Sequence, residues 1–294
     1  MLEKVFFFGA IPLVYLLPIS HRSIQKHKNT VIKIHIMLVL TLLFVYFTAR
    51  NTWCVNHKDL PKQIKSKFHK EFTINGCKCL YHEPIRKKKR RILLFPGLGI
   101  SVRRMMQESC MEMFVEDSEI LCFQIRGLGE SDWGVDLSSK SMLDDSINMM
   151  TVFESMTDRS IDTLFVGYSL GAFVSIQSLA YVNTLGIKCD NILLVNGMCS
   201  GTTMIYHYKI FAMLLGVNTK LHLNNSNVPI TILHAKDYIT VPLSEAQELK
   251  QECDSIGRSC TLLTCDGDHS HYTIPTKTKS YLRLLSLGSH GSIV

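Results

Sequence analysis

Five residues between two regular segments constrain this chain more than anything else in it. Asp162-Thr163-Leu164-Phe165-Val166 reads as an apolar strand, Ala172 to Tyr181 as a helix, and Gly167-Tyr168-Ser169-Leu170-Gly171 stands between them. A chain that passes from strand to helix so quickly turns so sharply that side chains beside its centre collide. Glycines at 167 and 171 remove those collisions, and the turn lifts the Ser169 hydroxyl off the sheet edge. Such a pentapeptide also arises by chance, so its meaning rests on the rest of the chain.

The rest repeats the strand–helix alternation. Glu71-Phe72-Thr73-Ile74 and Cys77-Lys78-Cys79-Leu80-Tyr81 flank Asn75-Gly76, a hairpin signal. Arg91 to Phe95 is the next strand, followed by Pro96-Gly97-Leu98-Gly99 and an expected helix over Val102–Val115. A strand over Ile120–Ile125 and a helix over about Ser141–Met156 precede the elbow, and strands at 191–195, 229–234 and 260–264 follow it. Strands that alternate with helices and are apolar on both faces predict an α/β protein with a mostly parallel sheet covered by helices. The opening hairpin adds an antiparallel edge. In such sheets the site lies at the carboxyl ends of the strands.

A serine hydroxyl is a weak nucleophile that needs a base within hydrogen-bond reach and a carboxylate to orient that base. Both follow Ser169 along the chain. The strand ending at His234 runs into Ala235-Lys236-Asp237, and the strand through Cys265 runs into Asp266-Gly267-Asp268-His269-Ser270-His271. The order Ser…Asp…His, each just past a strand end, is that of a strand-borne catalytic triad. Taken singly, Asp237 is equally a turn or capping residue. His269 and His271 are equally surface histidines in a chain that has 12.

With these residues in place, the chain from about 70 to 286 resembles the α/β-hydrolases, close to the monoglyceride lipase, lysophospholipase and serine aminopeptidase branch. Arg126-Gly127-Leu128-Gly129-Glu130-Ser131 is similar to that branch's Arg-Gly-x-Gly-x-Ser loop. His234-Ala235-Lys236-Asp237-Tyr238-Ile239-Thr240-Val241-Pro242 resembles its acid loop, and Gly267-Asp268-His269-Ser270 its histidine loop. The resemblance implies Ser169 as nucleophile, Asp237 as orienting acid and His269 as general base, with His271 in reserve. It implies an oxyanion hole from the backbone N–H groups of Leu98 and Leu170. It calls for no cofactor and no metal. Where many relatives have His-Gly, this chain has Pro96-Gly97, a change in the loop that carries Leu98.

The amino terminus is of another kind. Residues 5–19 and 36–49 carry no charge. Each run falls short of the about 20 residues of a spanning helix. The second reaches that length if it starts at Val31, with Lys33 and His35 snorkelling at the interface. The first holds Pro12 and Pro18, which favour a kinked or interfacial segment. A cleaved signal peptide over residues 1–20, or burial of both runs in a core, are the competing readings. Basic residues lie on both sides of the second run (Arg22, Lys26 and Lys28 before; Arg50, Lys58 and Lys62 after), so the charge rule does not orient it. The expected organisation is an apolar membrane segment of one or two helices over 1–50, a basic linker over 51–70, an α/β-hydrolase domain over 71–286 with a cap at about 198–227, and a tail over 287–294.

The net charge of +7 is concentrated there and in Arg86-Lys87-Lys88-Lys89-Arg90-Arg91. That block lacks the interleaved aromatics of a nucleic-acid surface, so no nucleic-acid partner is expected. It reads as a solvated loop between strands or a contact to anionic headgroups. The 10 cysteines form no Cys-x-x-Cys pair, and several fall in strands, as free thiols do in a reducing compartment. The apolar cap, Met204 to Leu215, suits an acyl chain as well as ordinary packing. The expectation is a membrane-bound serine hydrolase cleaving an acyl ester: a lysophospholipid, a monoacylglycerol or a thioester. The rivals are an inactive, membrane-tethered binding protein with this fold, and a peptidase or amidase. Acyl transfer to an alcohol shares the same intermediate.

Overall fold

The computed structural model describes residues 69–84, 86–98, 100–106, 108, 110–132, 137–200, 212, 215–268 and 271–285. The expected membrane segment over 1–50, the linker up to residue 68, the middle of the cap and the tail lie outside the described residues. Among the described residues no helix is long and apolar enough to cross a membrane.

The chain opens on the expected hairpin, β1 (His69–Ile74) and β2 (Cys77–His82). Asn75 and Gly76 both take positive φ, 50° and 77°, the geometry that a two-residue hairpin turn demands. Seven further strands follow: β3 (Arg90–Phe95), β4 (Ser118–Gln124), β5 (Asp162–Tyr168), β6 (Asn191–Val195), β7 (Ile230–Ala235), β8 (Cys260–Gly267) and β9 (Tyr272–Thr273). They form one sheet in the order β1-β2-β4-β3-β5-β6-β7-β8-β9. The strands from β4 across to β8 are parallel, and β1, β2 and β9 add antiparallel edges. β3, β4 and β7 are buried along their whole length, as central strands covered on both faces are, and their polar residues stand mainly at the strand ends.

The α-helices with described bounds are α1 (Val102–Met105), α2 (Ser139–Met156), α3 (Leu170–Ser178), α4 (Leu243–Ser255) and α5 (Thr276–Leu284). α2 starts in a capping box, Ser138 Oγ accepting from the Ser141 N–H while Ser141 Oγ accepts from the Ser138 N–H. The helix expected over Val102–Val115 ends at Met105. Beyond it the backbone closes successive three-residue turns, Glu108 N–H to Met105 O, Met111 N–H to Glu108 O and Phe114 N–H to Met111 O. These turns bury Met106, Cys110, Met111, Met113 and Phe114 together, more apolar positions than one face of a short helix offers.

The basic block divides. Arg86, Lys88 and Lys89 flank β3 in a loop and pair with Glu116, Glu83 and Asp117. Arg90, expected in that solvated loop, and Arg91, which closes the basic block and opens the expected strand, are the first residues of β3 and only 1% exposed. Arg90 donates to the carbonyls of Arg283 and Leu285 at the end of α5, and its guanidinium lies 5.3 Å from the Phe114 ring centroid. Arg91 pairs with Glu154 at 2.7 Å, donates to Thr163 and stacks 5.1 Å over Phe153. Their stems and ring contacts are apolar enough to enter the core, and the charges are answered there.

Candidate active site

The chain leaves β3 toward β4 on one side and returns to β5 on the other side of β3. β3 and β5 are therefore neighbours whose following connections diverge, and the crevice at their carboxyl ends is the place where an open parallel sheet holds a site. Register fixes what meets there. Phe95 lies opposite Gly167, so the loop after β3 runs beside the elbow.

Ser169 has φ 53° and ψ −116°, a strained backbone for a residue with a Cβ, at a cost of order 1–3 kcal/mol. Its surroundings hold it there. The Ser169 N–H donates to Val195 O at 2.9 Å, and Ser169 O accepts from the Ala172 N–H at 3.0 Å. A Cβ on Gly171 would stand 2.0 Å from Phe95 O, and one on Gly167 2.4 Å from Ser175 Oγ. Neither position admits another residue without displacing backbone or core. Ser169 is 9% exposed. Leu170 is the first residue of α3, and N–H groups of a helix's first turn have no partner within the helix. Leu98 is half-buried in the loop after β3. A Cβ on Gly97 would stand 3.2 Å from that of Ser169, so the Pro96-Gly97 loop passes close to the serine.

The strand ends stay level across the sheet. Asn196 N–H donates to Leu233 O, Lys236 N–H to Cys265 O and Asp237 N–H to Gly267 O. Asp237 Oδ2 in turn accepts from the Gly267 N–H at 3.1 Å, so the expected acid grips the start of the expected histidine loop. His269 and Ser270 lie outside the described residues. The loop is closed on either side of them: Asp268 N–H donates to His271 O and His271 N–H to Asp268 Oδ1. His271, the reserve base, is exposed, with its ring Nδ1 3.5 Å from Asp268 rather than at Asp237.

Three residues under the elbow carry no motif signal. Tyr168, just before Ser169, is fully buried, and its phenol bonds to the Glu108 carboxyl and the Asn196 side chain. Asn196 stands at the end of β6 with φ 50°, and its Oδ1 accepts from the Ala235 N–H at 2.8 Å. One buried amide thus joins the nucleophile strand to the acid strand. Burial pushes the Glu108 carboxyl up to about 6, against the Arg104 guanidinium, the Tyr168 hydrogen bond and the charge of His271. In the sequence, Asn196 following four apolar strand residues was the one available clue.

The Arg-Gly-x-Gly-x-Ser loop is scaffold. Arg126 binds the buried Asp145 of α2 through its backbone N–H and Nε, at 2.8 and 2.6 Å. Ser131 Oγ donates to Gln124 O and accepts from the Lys78 N–H, pinning the loop to β4 and β2. The cap begins and ends at one point. The N–H groups of Cys199 and Ser200 both donate to the buried Glu245 of α4, and Thr219 bonds back to Met198 O and Cys199 O. Residues 201–211, 213 and 214 of the cap lie outside the described residues. Among the described residues no group of three or more His, Cys, Asp or Glu side chains could hold a metal ion.

No protein-family model and no curated protein sequence matches the chain. Solved structures do. The acylaminoacyl peptidase of Pyrococcus horikoshii superposes with a TM-score of 0.57 at 15% identity, over 76% of this chain and 42% of its own. Thermogutta terrifontis esterase 2, phosphonylated by sarin, gives 0.55 at 13% identity, over 78% of this chain and 95% of its own. Est1E from Butyrivibrio proteoclasticus gives 0.53 at 11% identity, over 74% and 96%. The chain thus spans less than half the length of the peptidase. With the sheet order, these likenesses establish the α/β-hydrolase fold.

Proposed function

We propose that the chain is a serine hydrolase that cleaves acyl esters, with Ser169 as nucleophile, His269 as general base and Asp237 as the acid that orients it. In this reading Ser169 Oγ attacks the acyl carbonyl carbon while His269 takes its proton. The carbonyl oxygen becomes an oxyanion facing the N–H groups of Leu98 and Leu170. The tetrahedral adduct collapses, His269 returns the proton to the departing alcohol or thiol, and Ser169 keeps the acyl group. Water activated by the same histidine then attacks the acyl-enzyme and releases the acid.

The observation that carries the reading is the backbone of Ser169 at φ 53°, walled in by two glycines that tolerate no Cβ. A fold does not hold a serine in that strained geometry for packing alone, since an alanine or glycine would pack as well. The contact of Asp237 with Gly267, two residues before His269, supports the other two roles. Fold alone does not choose the substrate. The three loop motifs support the monoglyceride lipase, lysophospholipase and serine aminopeptidase branch. The apolar amino-terminal run favours a lipid or lipidated ester, because an anchored enzyme meets substrate already concentrated in a bilayer. A peptidase or amidase is the second reading, favoured by the likeness to the acylaminoacyl peptidase. The esterases are matched over nearly their whole length, so the ester reading comes first.

Purified full chain in detergent should be labelled by a fluorophosphonate probe, and Ser169→Ala should abolish the labelling. Labelling that survives the substitution would refute the assignment. A series of p-nitrophenyl esters of rising chain length, set against aminoacyl amides, separates the two readings: turnover confined to the amides would replace the esterase.

A further inference from the structure

The oxyanion hole asks for something no loop motif supplies. Leu98 lies in a loop in which Pro96 replaces the branch's histidine, and that loop needs a fixed conformation for its N–H to meet the developing charge. Gln124 is placed to provide it. It is the last residue of β4, and the pairing of Leu94 with Cys122 sets it level with Pro96 on the neighbouring strand. Its side chain is 1% exposed. Gln124 Nε2 donates to Ile100 O, two residues past Leu98, at 2.9 Å, and Gln124 Oε1 accepts from the Glu130 N–H at 2.9 Å. One partner is an acceptor and the other a donor, so a single orientation of the amide satisfies both.

The surroundings are shaped to that amide. Gly129 has φ +53°, and a Cβ there would stand 2.0 Å from Gln124 Nε2. The second glycine of the Arg-Gly-x-Gly-x-Ser loop thus leaves room for this side chain. Ser131 Oγ holds the Gln124 backbone carbonyl at 2.7 Å. The loop after β3 is anchored at Phe95 by the sheet and at Ile100 by this amide, and Leu98 lies between the two anchors.

We propose that Gln124 is a positioning residue for the oxyanion hole: its amide fixes the 96–100 loop so that the Leu98 N–H faces the developing oxyanion. This rests on the hydrolase reading above. Loss of a hole donor outright lowers kcat by about 100–1000-fold, and a displaced donor costs less, about 10–100-fold.

The test uses full chain in detergent, a p-nitrophenyl ester, and kcat counted per fluorophosphonate-titrated site, so that misfolded protein drops out. Gln124→Glu keeps the shape and the acceptor but turns the Ile100 donor into a charge. Its kcat at pH 8 should fall by about 10–100-fold with KM within about 2-fold. Its ratio to wild type should rise as pH falls, because a protonated carboxyl regains an O–H for Ile100 O. Gln124→Met should show a similar deficit that does not change with pH, and it decides the matter if Gln124→Glu does not fold. Ser131→Ala, which loosens the same region but leaves the Ile100 bond, should keep kcat within about 2-fold. Wild-type kcat in the folded Gln124 variants, or an equal loss in Ser131→Ala, overturns the proposal. Wild-type chain that takes no label overturns the hydrolase reading and this inference with it. Where wild type is labelled and Ser169→Ala is not, the outcome bears on Gln124 alone.

Discussion

Glu108 is the residue whose chemistry departs furthest from its position in the sequence, where it is one acid in a polar stretch. In the fold it is buried, 3.6 Å from Arg104 and bonded to the phenol directly before Ser169. Burial raises its pKa from 4.5 to about 6. The folded state therefore binds more protons than the unfolded chain between those values. Its stability falls as pH rises through that window, by at most about 2 kcal/mol at 1.36 kcal/mol per pKa unit. Glu108→Gln should flatten that part of the profile. Its melting temperature should change less between pH 4.5 and 6.5 than that of wild type, and parallel curves for the two would show that Glu108 does not carry the dependence. The places of Ser169 at the turn after β5, of Asp237 just past β7 and of the hairpin glycine were legible because each sits in a local pattern with its own geometry. Glu108, Asn196 and Gln124 were not. Each is a polar residue beside a strand or turn, and only the sheet order, which is a long-range property, reveals what it meets.

β3 shows the same division at the scale of an element. A strand from Arg91 to Phe95 was readable, but the basic run in front of it, Arg90 included, looked like a loop. Strand pairing overrides that appearance: Arg90 lies opposite Ser118 and Asp162, and Arg91 opposite Glu119 and Thr163, all inside the sheet. The Arg91–Glu154 pair lies near the amino end of β3, about 13 Å along the strand from the site at its carboxyl end. Breaking such a pair leaves a buried charge uncompensated, whereas replacing both partners with apolar residues of similar volume does not. Glu154→Ala should cost about 3–5 kcal/mol in urea unfolding, and Arg91→Met with Glu154→Leu should recover most of it. Esterase activity per folded molecule should stay near wild type in both. A double variant as unstable as the single one would mean that the Arg91 hydrogen bond to Thr163, not its charge pairing, is what the strand depends on.

At the scale of the whole molecule, the order of the proposed triad along the chain follows from the topology. From β5 onward each connection adds a strand farther from β3, so the proposed acid and histidine loops follow in sequence order at the same sheet end, and a base on the loop after β8 would have to reach back past β7 and β6. What the hydrolase domain does not explain is the apolar run before it, uncharged over 36–49 and extended to Val31 past Lys33. Residues 31–49, if helical, span about 28 Å at 1.5 Å per residue, close to the about 30 Å hydrocarbon core of a bilayer. The basic residues on both sides favour headgroups of either leaflet, so charge adds adhesion without choosing a direction. Two forces would hold such a chain to a membrane, and they respond differently. Electrostatic attachment weakens as salt shortens the Debye length to about 3 Å at 1 M, whereas a spanning helix is indifferent to salt and to alkaline carbonate. Cells expressing the full chain should therefore yield it in a membrane pellet that resists both washes and releases it only to detergent, with the ester hydrolysis following the protein. Release by 1 M salt would reduce the attachment to the basic linker. Release by carbonate alone would leave the apolar run interfacial rather than spanning, and the enzyme would then not be held in the bilayer where a lipid substrate is concentrated.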